Sequence, residues 1–264
     1  MIEVFVAGAG LLGPGLAGWK ASVPVLTGNQ PLLAEPPALP PPALLAPNER
    51  RRTGIVVRLA LAVAAEAADM AGVPPAAMTS VFASADGDGA LIHAILEQLA
   101  RPEPQVSPTQ FHNSVHNAAA GYWSIGTGAN RAAICLGCGG ATAAAALLRA
   151  GAEVAAEGAP VLLCLYDAPM PEPLSRVRPN RFSFGAALVL ASRPGPRTLG
   201  RLRLDWRCDP TDAPSVPRLP ALLPLHAENP AAGLLPVLET LAGGTACVLA
   251  LPLLDGQVVV EVAP

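Results

Sequence analysis

The sequence concentrates chemically useful side chains between residues 107 and 126. This stretch holds two of the four histidines, His112 and His116, together with the adjacent aromatic residues Tyr122 and Trp123 and several uncharged hydrogen-bonding side chains. A separation of four residues predicts that the two histidines lie on one face of a helix. No acidic residue lies between them, so a metalloprotease helix is excluded. A buried hydrogen-bond network that satisfies itself is the alternative interpretation of both histidines.

Cysteine chemistry is the second possibility that the residue types raise. Cys135 and Cys138 form a C-x-x-C motif, whereas Cys164, Cys208 and Cys247 are isolated. A zinc site would need a second pair of ligands. A redox pair would lie at the N-terminus of a helix. This motif nearly meets that condition, because a glycine-rich turn and then a predicted helix follow it. Structural cysteines are the simpler interpretation, and the odd number without a secretory signal at the start predicts reduced thiols in the cytoplasm.

Two further motifs suggest bound ligands and are interpreted here as structural. Residues 8–13 read GAGLLG and match the G-x-G-x-x-G dinucleotide fingerprint, but Pro14 does not open a helix well, and Glu35 falls within a proline-rich stretch. We therefore expect a strand at Ile2–Ala7 that ends in a tight turn at these glycines. Asp86 and Asp88 lack further cation ligands and are expected in a solvated loop. No cofactor and no metal is predicted.

Composition excludes several classes of protein. With 264 residues, 52% hydrophobic and 14% charged, the chain is too apolar to be intrinsically disordered. A net charge of −3 argues against nucleic acid or an anionic membrane as the main partner. The longest apolar segments, Ile55–Ala71 and Ala141–Ala156, are rich in alanine and carry charges, so we expect no membrane span.

Apolar strands alternate with helices along the chain, which predicts an α/β fold with a mixed, buried sheet. Beyond the first strand, the predicted strands are Ser80–Ala85, Ala132–Leu136, Pro160–Tyr166, Phe184–Ser192, Thr198–Trp206 (antiparallel to the strand before it) and the hairpin Cys247–Leu254 with Gln257–Val262, turning at Asp255-Gly256. The predicted helices are Gly54–Ala71, Ala90–Ala100, a segment ending near Ala150, and Asn229–Ala242. Proline-rich loops are expected over 31–47 and 209–224.

Several strings then resemble β-ketoacyl synthases. They are the opening strand with its glycines, the segment from Ser107-Pro108 to Ser124-Ile125, the strand and turn over Gly128–Gly140, and the strand starting at Phe184-Gly185. SPTQFHNSVHNA at 107–118, followed by GYWS, resembles a shorter branch, the chain-length-factor-like proteins of aryl polyene and xanthomonadin-type pigment clusters. The resemblance implies a thiolase-like layered fold with a mixed five-stranded sheet in a single domain, 1–264. Residues 1–195 would form a complete N-terminal half, and 196–264 a strongly reduced second half.

The departures from the family pattern shape the expected function. The resemblance implies that a ketosynthase needs a cysteine at a helix N-terminus and two histidines from the second half of the fold. Here only His226 remains in that half, and the candidate nucleophiles are Cys138 and Cys135. We expect a non-catalytic subunit that pairs with an active ketosynthase and shapes its acyl tunnel. The alternatives are a divergent synthase or acyltransferase that uses one of these cysteines, and a scaffold that docks a carrier protein.

The resemblance also assigns residues to the expected partners, which are a ketosynthase in a heterodimer (or a second copy when the chain is alone) and an acyl carrier protein. The tunnel gate and dimer interface would comprise Phe111, His112, Val115, His116 and Asn117. An acidic carrier protein would meet Arg50, Arg51 and Arg52.

Overall fold

One mixed β-sheet organises the chain. The computed structural model describes residues 1–178, 180–208 and 212–264. The strands are β1 (Ile2–Gly13), β2 (Leu16–Ala17), β3 (Thr79–Ala83), β4 (Ala133–Leu136), β5 (Val161–Asp167), β6 (Phe184–Ala191), β7 (Gly200–Arg207), β8 (Cys247–Leu253) and β9 (Gly256–Ala263). Their order is β4-β3-β5-β6-β1-β7-β9-β8, and β2 pairs with β1. Strand β3 runs parallel to β4 and β5, and the other pairs are antiparallel.

Helices cover both faces of this sheet. They are α1 (Trp19–Leu26), α2 (Pro47–Arg50), α3 (Ile55–Ala71), α4 (Gly89–Leu99), α5 (Pro108–Asn113), α6 (Ala118–Thr127), α7 (Thr142–Glu157), α8 (Leu223–Glu228) and α9 (Leu235–Gly243). Helices α3 and α6 share one core with one face of the sheet, and α1, α7 and α9 share a second core with the other face. Among the described residues, no helix is long and apolar enough to cross a membrane.

Strand β5 shows why the sheet residues are apolar on both sides. Leu162, Cys164 and Tyr166 point into the core beneath α3, whereas Leu163 and Leu165 point into the core beneath α7. Because each face is covered by helices, a continuous apolar run is stable in this position. The predicted α/β class and mixed sheet are therefore confirmed.

The sheet extends beyond the five expected strands. Strand β7 pairs with β1, and β9 and β8 follow it in the same sheet. The predicted pairing of β7 with the strand before it is wrong, because β1 lies between β6 and β7. Residues 209–211 of the predicted loop over 209–224 lie outside the described residues. The last residues of this predicted loop form a 3-10 turn at Pro220–Leu222 and the start of α8.

The glycine fingerprint lies within a strand, so the predicted turn is wrong. Gly8 and Gly10 belong to β1 and face helix α3. A Cβ atom on Gly10 would lie 2.1 Å from the carbonyl oxygen of Val63, and one on Gly8 would lie 2.3 Å from that of Ala67. The glycines therefore allow α3 to approach the sheet closely, and they form no phosphate-binding turn.

The C-terminal hairpin turns one residue earlier than expected. Leu253 pairs with Gly256, so Leu254 and Asp255 form the loop. Leu254 adopts the left-handed region at φ 53°. Gly256 lies in β9 and not in the turn. Glycine is required there because a Cβ atom would lie 2.3 Å from the carbonyl oxygen of Arg207 on the neighbouring strand.

Candidate functional site

The histidine-bearing segment folds into two short helices instead of one. Pro108 occupies the first turn of α5, which ends at Asn113, and α6 begins at Ala118. His112 lies in α5, whereas His116 lies in the turn between the helices. The prediction that both histidines share one helical face is therefore wrong, because the helix ends before it reaches His116.

Both histidines are exposed, so a buried network does not describe them. His116 contacts the carbonyl oxygen of Ser84 through Nε2 at 3.0 Å, which holds the turn against the end of β3. His112 lies edge-on to the ring of Tyr122, with 6.3 Å between ring centroids. Asn117, the residue before α6, is also exposed and makes no side-chain cap.

The aromatic residues of the segment form its buried base. Tyr122 and Trp123 are both 2% exposed, and the Trp123 ring lies 6.4 Å from the Phe82 ring. The Tyr122 hydroxyl donates to Asn113 Oδ1 at 3.0 Å and thereby ties α6 to α5. Burial, together with the charge of Glu49, raises the pKa of Tyr122. The tyrosine is thus a structural link within this segment.

Three large apolar side chains remain on the surface above this base. Phe111 is 68% exposed, Ile125 61% and Val115 47%, and we call these three residues the apolar patch. Helix α6 contacts β4, the edge strand of the sheet. Within the described residues, the backbone of β4 pairs only with β3. Exposed apolar side chains and an unpaired edge strand are each features of association surfaces.

The cavity beneath the turn between α5 and α6 is nearly filled. It has a volume of about 20 Å³ and is lined by residues that include Val57, Asn113, Val115, His116 and Tyr166. Such a volume holds about one water molecule. An acyl chain therefore does not fit inside this part of the chain. Of the five predicted gate residues, Val115 and His116 line this cavity, and Phe111, His112 and Asn117 do not.

The two candidate cysteines face opposite sides of the sheet. Cys135 lies on β4 and packs into the core beneath α3, and burial raises the pKa of its thiol. Cys138 follows β4 and packs against the α7 core. Its backbone N–H donates to Thr142 Oγ1 at 2.9 Å, which places it at the N-terminal end of α7. Both are free thiols, and no hydrogen bond joins either sulfur to a histidine in the described ranges.

A cavity of about 370 Å³, with a mixed polar and apolar lining, opens at the same end of α7. Its lining includes Gly140, Asp86, Arg178, Asn180, His226 and Glu228. Burial lowers the pKa of His226, which favours the neutral imidazole. A volume of this size suits a small-molecule ligand.

Asp86 contradicts the prediction of a solvated loop. Its side chain is 8% exposed and accepts a hydrogen bond from Asn180 Nδ2 at 2.8 Å. Arg178 Nε lies 3.6 Å from its other oxygen. Burial raises the pKa of this carboxyl, and the charge of Arg178 opposes that shift. Asp88 instead accepts from the backbone N–H of Leu91 at the start of α4.

Asp167 is the feature that the sequence reasoning missed. Its Oδ1 accepts from Ser84 Oγ at 2.7 Å and from the backbone N–H of Ala85 at 3.0 Å, whereas its buried Oδ2 has no partner among the described residues. Burial raises the pKa of Asp167 to about 7. The available signal was an acidic residue directly after the wholly apolar run Pro160–Tyr166.

The three consecutive arginines have different environments. Arg50 Nη2 donates to the carbonyl oxygens of Ala43 and Leu45, at 3.3 and 3.0 Å, and so fixes the proline-rich segment. Arg51 is exposed and bonds Asn48, and Arg52 is exposed and pairs with Glu49 at 3.3 Å. Arg51 and Arg52 alone of the three project into solvent.

Comparisons with known proteins identify the family to which the chain belongs. The family model described as "Beta-ketoacyl synthase, N-terminal domain" matches residues 27–218. No curated protein matches the sequence. The fold is similar to that in the ketosynthase ApeO in complex with its chain length factor ApeC from Xenorhabdus doucetiae, with a TM-score of 0.74, 18% identity, and coverage of 99% of this chain and 100% of that chain.

Two further solved structures share the fold over almost their full length. One is the ishigamide ketosynthase/chain length factor, with a TM-score of 0.71, 16% identity and 99% coverage of each chain. The other is the AntDE:AntF complex of a type II polyketide synthase acyl-carrier protein with its ketosynthase, with a TM-score of 0.76, 12% identity, and coverage of 99% of this chain and 98% of that chain. Since the family model covers well over half of the sequence, the chain belongs to the β-ketoacyl synthase N-terminal domain family.

Proposed function

We propose that this chain is a non-catalytic, chain-length-factor-like subunit that pairs with an active ketosynthase in aryl polyene-type type II polyketide biosynthesis. The observation that carries the proposal is the open edge of β4, which contacts α6, together with the exposed side chains of Phe111, Val115 and Ile125. An exposed edge strand exposes unpaired backbone groups, and the patch exposes apolar area that a partner would bury.

The filled cavity supports a role in limiting product length. Val115 and His116 lie in the turn between α5 and α6 and line the cavity beneath it, where about 20 Å³ remains. An acyl chain that grows toward this surface from a partner would be stopped by steric exclusion. The aromatic residues behind the turn, Tyr122 and Trp123, make the wall rigid.

The thiols give little support for catalysis by this chain alone. The thiolate is the reactive form of cysteine, and burial raises the pKa of Cys135. Cys138 has no hydrogen bond to a histidine in the described part of the chain. Such a bond is the usual way to activate a nucleophile of this type.

The complexes named above support the choice of partners. Two are described as a ketosynthase with a chain length factor, and a third as an acyl-carrier protein with its ketosynthase. By analogy, the partner here is a ketosynthase of the same pigment cluster, and the carrier protein approaches the complex. Arg51 and Arg52 are the cations available to an acidic carrier protein.

Co-expression with the ketosynthase of the same cluster tests the proposal. The chain should co-purify with it as a heterodimer, and the complex should release polyenes of a defined length. Val115→Ala with His116→Ala should lengthen the product without loss of the complex, because the wall recedes. Val248→Ala, on the opposite edge strand, is the matched control and should change nothing. Absence of a complex, together with an unchanged polyene length, would refute the proposal.

A second function is favoured by the position of Cys138. It lies at the N-terminal end of α7, where the cavity lined by Gly140 and His226 also opens. The Cys138 sulfur would attack the thioester carbonyl of an acyl-carrier protein, which forms an acyl thioester on Cys138, breaks the thioester to the carrier and releases the carrier thiol. Mass spectrometry after incubation with acyl-carrier protein would detect an acyl adduct. Loss of that adduct in Cys138→Ala but not in Cys135→Ala would favour this transferase.

A further inference from the structure

A second cavity, of about 390 Å³, lies on the outer face of α3. One wall is the proline-rich segment from Pro40 to Leu44, and α6 contributes Trp123 and Thr127. The floor is α3 itself, through Leu61, Ala62, Ala65 and Ala68. We call this cavity the α3 groove. It is mostly apolar and shares only Trp123 with the sites described above.

Arg58 lies in this apolar lining and lacks a counter-charge. Its Nη2 donates to the carbonyl oxygen of Leu39 at 2.9 Å, and its Nε is buried without a hydrogen-bond partner. Across the described ranges, no carboxylate oxygen lies within 4.0 Å of its guanidinium. By contrast, Arg149 in α7 is paired with Glu153. An unpaired guanidinium against apolar surface favours an anionic ligand group.

The opposite end of the groove has the opposite charge. Asp69 lines it eleven residues further along α3, which is about 16 Å along the helix axis. Between the two charges the lining is alanine, leucine, proline and tryptophan. A carboxylate would be attracted at Arg58 and repelled at Asp69. The two charges therefore favour a single binding direction for a ligand that has one anionic end, with that end at Arg58.

We propose that the α3 groove binds an amphipathic monocarboxylic acid, with its carboxylate on Arg58 and its hydrocarbon chain along Ala62 and Ala65 toward Trp123. Arginine binds a carboxylate through two parallel N–H···O bonds, which fix the head group. The hydrocarbon chain replaces water over apolar surface, which favours binding. The site is separate from the apolar patch and does not depend on a partner ketosynthase.

Calorimetric titration of the purified chain with dodecanoate below its micellar concentration tests this proposal, because the extended chain of this acid is about as long as the groove. Dodecanoate should bind with one site per chain. Arg58→Met should weaken it about tenfold or more through loss of the charge-assisted bonds. Arg58→Lys keeps the cation and should weaken it less. Arg193→Met, at an exposed arginine away from the groove, is the control.

Two further ligands and one further variant separate the role of the head group from that of the groove. 1-Dodecanol should bind wild type and Arg58→Met equally, because it has no charge. Ala65→Trp fills the groove and should abolish binding of both ligands, with an unchanged circular dichroism spectrum. Dodecyltrimethylammonium should bind more weakly than dodecanoate. Equal binding of dodecanoate by wild type and Arg58→Met, or by wild type and Ala65→Trp, would overturn the proposal, as would no binding at all.

Discussion

The two edge strands of the sheet, β4 and β8, differ in what covers them. At β8, the segment formed by residues 212–219, called here the covering segment, bonds the outer edge. The backbone N–H of Ser215 donates to the carbonyl oxygen of Ala250 at 2.8 Å, and the Ala250 N–H donates to Ser215 Oγ at 2.9 Å. Pro252 removes one more donor from that edge. Strand β4 has no such cover in the described residues.

Two buried carboxylates extend this contrast. Glu239 accepts from the backbone N–H groups of Arg218 and Leu219, at 2.7 and 2.9 Å, so both of its oxygens are paired and the covering segment is fixed. Asp167 ends β5, two strands in from the open edge, and has one paired oxygen and one buried oxygen without a partner among the described residues. The covering segment bonds the outer edge of β8, whereas β4 has no such cover in the described part of the chain. This difference supports the proposal that the association surface is at β4 and not at β8.

The largest expected effect concerns Asp167 and pH. The folded state keeps a proton on this carboxyl up to a pKa of about 7, against 3.8 for the ordinary group. Between these values the folded state binds more protons than the unfolded state, so the free energy of unfolding falls as pH rises from about 4 to about 7. The loss is up to about 4 kcal/mol. Asp167→Asn should flatten this dependence in urea denaturation at pH 5 and pH 8, and the exposed Asp255→Asn should retain it. A slope that survives in Asp167→Asn would show that Asp167 is not its source.

Charges in the apolar patch should produce the next largest effect. Phe111→Asp with Val115→Asp places two carboxylates in the proposed interface and should weaken binding of the partner ketosynthase about a hundredfold, or about 3 kcal/mol. Val248→Asp changes a side chain that is 64% exposed on the closed edge and should leave the affinity unchanged. Biolayer interferometry on the purified subunits measures both. Equal weakening by the two changes would mean that the edges do not differ in association.

Removal of the Glu239 carboxylate should open the closed edge. Glu239→Leu leaves the backbone N–H groups of Arg218 and Leu219 without an acceptor, which costs about 2 kcal/mol of unfolding free energy. The released covering segment would expose β8, so self-association should increase at high protein concentration. Glu157→Leu, at an exposed position, should change stability by less than about 0.5 kcal/mol. Unchanged stability and a monomeric Glu239→Leu protein would contradict the role given to this carboxylate.

The fold was predictable where a single local pattern determines an element. The periodicity from Gly54 to Ala71, closed by Gly72, predicted α3 to within one residue, because amphipathic spacing and a left-handed cap act locally. Gly8 and Gly10 were misread because their reason is the distant backbone of α3, and that contact is invisible in the local sequence. The same holds for the partners of β7, which depend on long-range pairing.

The geometry of the candidate site could not be predicted from the sequence. The unusual composition of residues 107–126 selects this segment as the candidate site, and the break after Asn113 separates its two histidines. Asp167 escaped notice because its contacts with Ser84 and Ala85 join residues more than eighty positions apart. The covering segment was read as an ordinary proline-rich loop, since only the folded sheet shows that Ser215 reaches Ala250.

Ser215→Ala is the smallest and most specific test of the contrast between the edges. It removes one acceptor and leaves the bond from the Ser215 N–H to Ala250 intact, so the expected loss is about 1 kcal/mol. Hydrogen exchange at the Ala250 amide should accelerate, while exchange along β4 stays the same. Ser215→Thr keeps the hydroxyl and should restore protection. An Ala250 amide that stays protected in Ser215→Ala would show that this hydroxyl does not close the edge at β8, and the difference between the two edge strands would then need another cause.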